Sequence, residues 1–341
     1  FSRKNMAKIG PEVIHMKKQI LLSFLAGAVL PLMLAALFQK TPPVPEAESE
    51  SISPAPFIRE TDPETGLTVV NRAGNLQQMT LREYLVGVVL AEMPADFEPE
   101  ALKAQAVAAR SYLLCKQEQG CKSHPGADVC CDASCCTAYC ADAALQERWG
   151  QDFEANMEKI RSAVNETAGQ YLAYEGEIIQ AVFHSSSVSR TEDSANVWNP
   201  LPYLVSVDSP ETEEDVPNYK TEITLSAQEL RDAVISAYPQ ADFTAEAANW
   251  VGEIRNTESG RVQDVTIGGV SIPGQEARRL FGLRSTSFAL TYTDDGFRFS
   301  VTGYGHGVGM SQYGANVMAK EGASYSEILM HYYPNTELVS L

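Results

Sequence analysis

The sequence predicts an α+β protein: mixed helices and antiparallel hairpins in two lobes that form a substrate groove, preceded by one transmembrane helix. Three observations carry this expectation. A charge-free apolar stretch of membrane length stands near the N-terminus, a Pro/Ser/Glu-rich segment follows it, and helical and strand periodicities alternate over the remainder. Of the 341 residues, 44% are hydrophobic and 21% charged, which is enough apolar matter for a sizeable core. The 44 acidic against 26 basic side chains give a net charge of −18. A surface so acidic argues against nucleic acid as the main partner and leaves polysaccharide open.

Lys17 and Lys18 close an N-terminal segment (1–18) and precede the expected membrane anchor (19–39), in which Ile20–Phe38 carries no charge. A bilayer needs about 20 such residues, and Pro31 is tolerable among them. No A-x-A-like cleavage site follows, so a retained anchor is preferred to a cleaved signal peptide. The lysines place the short end in the cytoplasm and the large remainder outside. The chain begins with Phe1, and Met16 directly precedes the lysines. Residues 1–15 are therefore expected to be an upstream artefact. Residues 40–65, rich in Pro, Ser and Glu, read as a disordered stalk. The folded part is expected over 66–341, with a smaller lobe at about 219–300.

Within that part, GLTVVNRAG reads as a strand and turn. TLREYLVGVVLAEMP reads as a helix, with a capping box at Thr80 and Glu83 and a stop at Pro94. Pro99 opens a second, alanine-rich helix. A third runs from about Asp152 to Thr167. QYLAYEGEIIQAVFHSSS alternates as a hairpin turning at Glu175–Gly176, and a later hairpin turns at Asp294–Gly296. The C-terminus reads as a helix, a break at Gly322 and a further short helix.

Leu81, Leu85 and Val88 recur on one face of the first helix, and Glu92 falls next on it. Two readings are open. Glu92 either reaches solvent at the helix end or sits against a cleft, where burial would raise its pKa into the range of a general acid. Lys103 and Arg110, seven residues apart on one helix face with Tyr112 close behind, are either a solvated stripe or donors facing Glu92. FHSSS supplies His184, Ser185 and Ser187. GYGHGVGMSQYGA supplies His306, Gln312 and Tyr313 among four alternating glycines, so the backbone there turns sharply or comes close to something. It lacks the Lys-Ser/Thr of a phosphate loop, and no G-x-S-x-G for a serine hydrolase occurs. All 7 cysteines fall between Cys115 and Cys140, together with His124. Disulfides and a tetrahedral zinc site are both compatible with this string.

The strings VVLAEMPADFEPEALKAQAVAARSY, FHSSS…TED…VW, FGLRSTSF and GHGVGMSQYGA…SYSEILMHYYP together resemble the stage II sporulation protein D (SpoIID) family. The resemblance spans nearly all of the chain from about residue 66 onward. It implies a membrane-anchored lytic transglycosylase that cuts peptidoglycan glycan strands to 1,6-anhydro ends during sporulation engulfment. Its partners would be an amidase and a membrane-anchor protein, and it would be held by a single pass with the catalytic domain outside the cytoplasm, in the mother-cell membrane facing the forespore septum. It implies Glu92 of the A-E-M-P motif as the catalytic residue. Lys103 and Arg110 would be substrate contacts, and His184, Ser185, Ser187, His306, Gln312, Tyr112 and Tyr313 candidates for binding sugar. It maps a structural zinc onto His124, Cys130, Cys135 and Cys136, with Cys131 and Cys140 as possible substitutes. The sequence departs from the family where Val188-Ser189 replaces the usual Gly-Gly. The alternative reading is a non-catalytic amidase enhancer or glycan-binding module, since such proteins share this domain.

Overall fold

The structure is a computed structural model and describes residues 66–133 and 135–340. The expected N-terminal segment, anchor and stalk lie outside these residues. Among the described residues no helix is long and apolar enough to cross a membrane.

The chain opens with β1 (Gly66–Val70) and β2 (Leu76–Thr80), then α1 (Leu81–Glu92), α2 (Pro99–Gln119), β3 (Val129–Cys130), α3 (Asp142–Trp149) and α4 (Phe153–Glu166). β4 (Gln170–Tyr174), β5 (Glu177–Ile178) and β6 (Phe183–His184) follow. Next come β7 (Lys220–Leu225), α5 (Ala227–Ala237), β8 (Val251–Asn256), β9 (Val262–Ile267), β10 (Val270–Pro273), α6 (Gly274–Leu280), β11 (Phe288–Thr293) and β12 (Gly296–Thr302). The chain closes with β13 (Met310–Ser311), α7 (Gln312–Lys320), α8 (Tyr325–Tyr332) and β14 (Glu337–Ser340). This is an α+β arrangement of small, mostly antiparallel sheets. β1–β3 and β6–β13 are short parallel pairs.

Two hydrophobic cores form. The first surrounds α2, whose Ala101, Leu102, Ala104, Ala106, Val107 and Ala108 are all fully buried. The α2 alanines let α1, α4, α7 and α8 approach closely. The second core joins Leu230 and Val234 of α5 to Val265, Ile272 and the inward Phe297, Phe299 and Val301 of β12. Arg298 and Ser300 alternate outward between them, as the two-residue period of a strand requires.

The two cores are stitched by buried polar groups. Glu192 accepts hydrogen bonds from the hydroxyls of Thr257 (2.6 Å) and Ser259 (2.7 Å) through one oxygen. The other takes the Asp193 N–H and the Asn196 amide, both at 2.8 Å. The string Gly303–Gly309 runs along this seam. A Cβ on Gly307 (φ +84°) would lie 2.4 Å from the Arg261 guanidinium carbon, and one on Gly309 (φ +70°) 2.1 Å from the Val182 carbonyl. Only glycine permits that backbone and that approach together.

Candidate active site

The capping box at Thr80 and Glu83 starts α1 and sets its rotation. Leu81, Leu85 and Val88 enter the core, and Glu92 follows them at the last turn. There the carboxylate is half-buried. One oxygen accepts the Ala138 N–H at 3.3 Å, and the other accepts the Gln312 side-chain amide at 3.0 Å. Among the described residues no cation pairs with it. Burial raises its pKa above the ordinary carboxylate value, and the two hydrogen bonds only partly oppose this. The negative end of the α1 dipole acts in the same direction as burial.

Gln312 is itself held. It is the first residue of α7, is 3% exposed, and follows the cap Ser311, whose hydroxyl accepts the Gly314 N–H. The Ser311 hydroxyl donates to Glu211, a buried carboxylate that also accepts the Ser187 N–H (2.5 Å) and the Ser209 hydroxyl (2.6 Å). The Tyr313 N–H donates to the Ser185 carbonyl at 3.0 Å, and its ring packs edge-on against Phe97. His184 donates from Nδ1 to the Val308 carbonyl (3.1 Å), and its Nε2 accepts the Ser187 hydroxyl (2.7 Å). Since a carbonyl can only accept, His184 carries a proton on Nδ1, and burial keeps the ring neutral. Burial holds its pKa well below the usual value, with the charge of His306 second. Burial likewise lowers His306 to about 4, with Arg278 and Arg261 adding to it. Its Nδ1 accepts the Val308 N–H at 3.1 Å. Thus Gln312 joins Glu92 directly, while Ser185, Ser187 and His184 frame the loop that carries Gln312.

The stripe on α2 faces elsewhere. The Lys103 ammonium sits 2.9 Å from Glu100 and 2.7 Å from Glu166 of α4. The Arg110 guanidinium is buried and donates to the carbonyls of Gln170 (3.0 Å) and Val164 (3.3 Å). Both fasten α2 to α4 and β4. Seven-residue spacing put them on one face correctly, but that face meets α4 and not Glu92. Tyr112 is half-buried beside the cysteines. Burial, then the nearby thiols, push its phenol up.

The cysteine string folds onto α1. The Cys140 N–H donates to the Gly87 carbonyl (3.0 Å), Tyr139 stacks on Tyr84, and the Tyr84 hydroxyl donates to the Cys130 carbonyl (2.9 Å). A Cβ on Gly87 would lie 2.2 Å from the Tyr139 ring. This loop thereby delivers the Ala138 N–H to Glu92. The sulfurs of Cys121, Cys130, Cys135 and Cys136 all lie within 4.8 Å of one another. The separations Cys121–Cys135, Cys121–Cys136 and Cys135–Cys136 are 3.6, 3.9 and 3.9 Å. A tetrahedron with zinc–sulfur bonds of about 2.3 Å has edges of about 3.8 Å. A disulfide needs about 2.05 Å. The donor set therefore fits a tetrahedral metal, with Cys121 where His124 was expected. The His124 ring lies at 3.5 Å from the Cys121 sulfur, at the edge of the cluster.

Sequence reasoning missed Cys121, Glu192, Glu211 and Arg261. Glu211 lies in the run SPETEEDVP, which reads as a solvated acidic stretch, so its burial leaves no local signal. Arg261 is 1% exposed and touches the Ser187 hydroxyl at 3.5 Å.

Residues 70–174 match the family model for SpoIID, stage II sporulation protein. The chain is 35% identical to stage II sporulation protein D of Bacillus subtilis (strain 168) over 301 residues, covering 86% of this chain and 85% of that protein. It is 36% identical to stage II sporulation protein D of Bacillus amyloliquefaciens over 267 residues, 77% and 75% of the two chains. An amidase enhancer of Bacillus subtilis is 30% identical over 310 residues, which cover 75% of this chain and 40% of that protein. With the family model matched and both stage II sporulation protein D relatives covered over at least three quarters of their length, the chain belongs to the stage II sporulation protein D family.

Proposed function

We propose that the protein is a lytic transglycosylase that cuts peptidoglycan glycan strands between N-acetylmuramic acid and N-acetylglucosamine. Membership of the family supports a role in sporulation. The observation that carries the chemistry is Glu92: a half-buried carboxyl group with a raised pKa and a fixed orientation. Protonated, it donates to the glycosidic oxygen as the C1–O bond breaks and an oxocarbenium-like centre develops. As a carboxylate, it then takes the proton of the muramyl C6 hydroxyl, whose oxygen closes onto C1. The nucleophile belongs to the same sugar, so one carboxyl group suffices and no water is consumed. His184, neutral and buried, keeps the Ser185–Ser187 loop in place and takes no part in proton transfer.

The four thiolates of Cys121, Cys130, Cys135 and Cys136 would hold zinc. Bound there, zinc supplies cross-linking of the loop and no Lewis-acid chemistry at the glycan. In this reading the chain acts outside the cytoplasm, anchored in the mother-cell membrane facing the forespore septum, with an amidase and a membrane-anchor protein as partners. The amidase-enhancer relative supports a second reading, in which the domain binds glycan and stimulates another hydrolase.

The test is mass spectrometry of peptide-stripped glycan strands incubated with the purified chain. Anhydromuramyl ends that fall at least about 100-fold with Glu92→Gln are expected, the usual scale for a lost general acid. Reducing ends would mean hydrolysis. Binding without cleavage by the wild type would favour the enhancer reading.

A further inference from the structure

With Lys103 and Arg110 engaged in fastening α2 to α4 and β4, an anionic group on the substrate needs another reader. Two arginines of the smaller lobe are placed for it. Arg284 follows Leu283 at the edge of the second core. It donates to the Asn218 carbonyl (2.9 Å), and its guanidinium lies 4.4 Å over the Tyr304 ring. Among the described residues it has no carboxylate partner. Arg278, on α6, is half-buried, and its guanidinium has neither a hydrogen bond nor an ion pair among the described residues. Burial disfavours its charge, and its field reaches both Tyr304 and His306. A guanidinium stripped of part of its water and given no partner costs free energy, which a bound anion would return.

The same patch carries exposed aromatic surface. Trp198 and Tyr304 are 51% and 46% exposed, the largest such rings in the first core's loops and at the seam. His306 lies beside Trp198, with ring centres 5.0 Å apart, and is kept neutral by burial and by the arginines themselves. It adds no third cation. Exposed flat rings offer the apolar faces on which sugar rings stack, and a planar guanidinium suits a carboxylate. The rings lead toward the loop that carries Gln312: the His306 ring centre lies 5.7 Å from that of His184, and the Tyr313 N–H donates to the Ser185 carbonyl.

We propose that Arg278 and Arg284, with Trp198 and Tyr304, form a subsite for a carboxylate-bearing sugar on the glycan strand. This rests on the transglycosylase reading for the reaction, but its own content is binding. The carboxylate has two sources, a muramyl lactyl group freed of peptide or the end of a stem peptide.

The test is calorimetric binding to the full chain carrying Glu92→Gln, so that no ligand is cut. The probes are peptide-free strand fragments, the same fragments with their carboxylates converted to methylamides, and peptide-bearing fragments. The free carboxylate fragments are expected to bind about tenfold more tightly than the amidated ones. Arg278→Gln should abolish that difference while leaving binding of the amidated fragment unchanged, and Arg278→Lys should recover part of it. Trp198→Ala should weaken both fragments alike. Selective, Arg278-dependent binding of the peptide-bearing fragment would assign the subsite to the peptide carboxylate. Equal binding of free and amidated fragments by the parent chain would overturn the proposal. So would Arg278→Gln weakening both equally with an unchanged unfolding midpoint. Failure of the wild type to produce anhydro ends would overturn the transglycosylase reading and leave these binding results standing.

Discussion

Gln312 sets how tightly Glu92 holds its proton. Its amide donates to the carboxylate and pulls the raised pKa back toward the ordinary range. Gln312→Leu removes the donor, so the alkaline limb of kcat/KM should move to higher pH, because the acid must be protonated in the free enzyme. A pH–rate profile of the variant checks the sign. Arg110 and Lys103 test the reassignment of α2. Arg110→Ala strips donors from two buried carbonyls and leaves a cavity, so it should cost about 2–4 kcal/mol of stability. Lys103→Ala loses an ion pair at the helix surface and should cost under about 1 kcal/mol with activity kept. Urea unfolding of both variants, beside their glycan-cleavage rates, separates a packing role from a substrate contact. Ser189 adopts φ +59°. Ser189→Gly should therefore be neutral or stabilise by up to about 1 kcal/mol.

At the scale of elements, close approach ranks the glycines. Gly309→Ala places a methyl 2.1 Å from the Val182 carbonyl, whereas Gly74→Ala (φ +81°) meets nothing within 4 Å. The first should cost about 2–4 kcal/mol and the second about 1 kcal/mol, measurable by chemical denaturation. For the thiol loop, Cys121→Ser should lower bound zinc and the melting temperature together, while His124→Ala should leave the metal stoichiometry unchanged. Elements with a chemical signature at their ends are legible in the sequence. The capping box of α1, Pro99 at the start of α2 and the turn at Asp294–Gly296 all fall where the residues predict. β2, with its two glutamines, the short α3 and the edge strand β14 carry no such signature. The two-residue parallel pairs exist only because distant segments meet. The site divides in the same way. Glu92 follows from the face of its own helix, but its partners lie 46 and 220 residues away. Spacing also put Lys103 and Arg110 on one face without saying what that face meets.

Across the whole molecule, the buried His184 and the half-buried His306 link stability to pH. His184 and His306 are neutral when folded, with His306 held near 4 and His184 well below 6.5. The unfolded chain takes up these protons near pH 6.5, the folded chain only far lower. The stabilisation is thus present above pH 6.5 and is lost as pH falls from there toward 4. Melting temperatures measured between pH 7.5 and 5 should decline through this window, above the range where surface carboxylates titrate. Replacing His306 with Gln should flatten the slope.

The two hydrogen bonds on Glu92 also fix the order in which the site comes into being. One donor is a backbone amide of the cysteine loop and the other is a side chain on a helix that begins at residue 312. A chain emerging from synthesis has its acid in hand 46 residues before the first of these donors and 220 before the second. Truncated or half-made copies would then carry the carboxyl group without its aim. In the transglycosylase reading, such late arming is a safeguard for the cell's own wall, written into chain order.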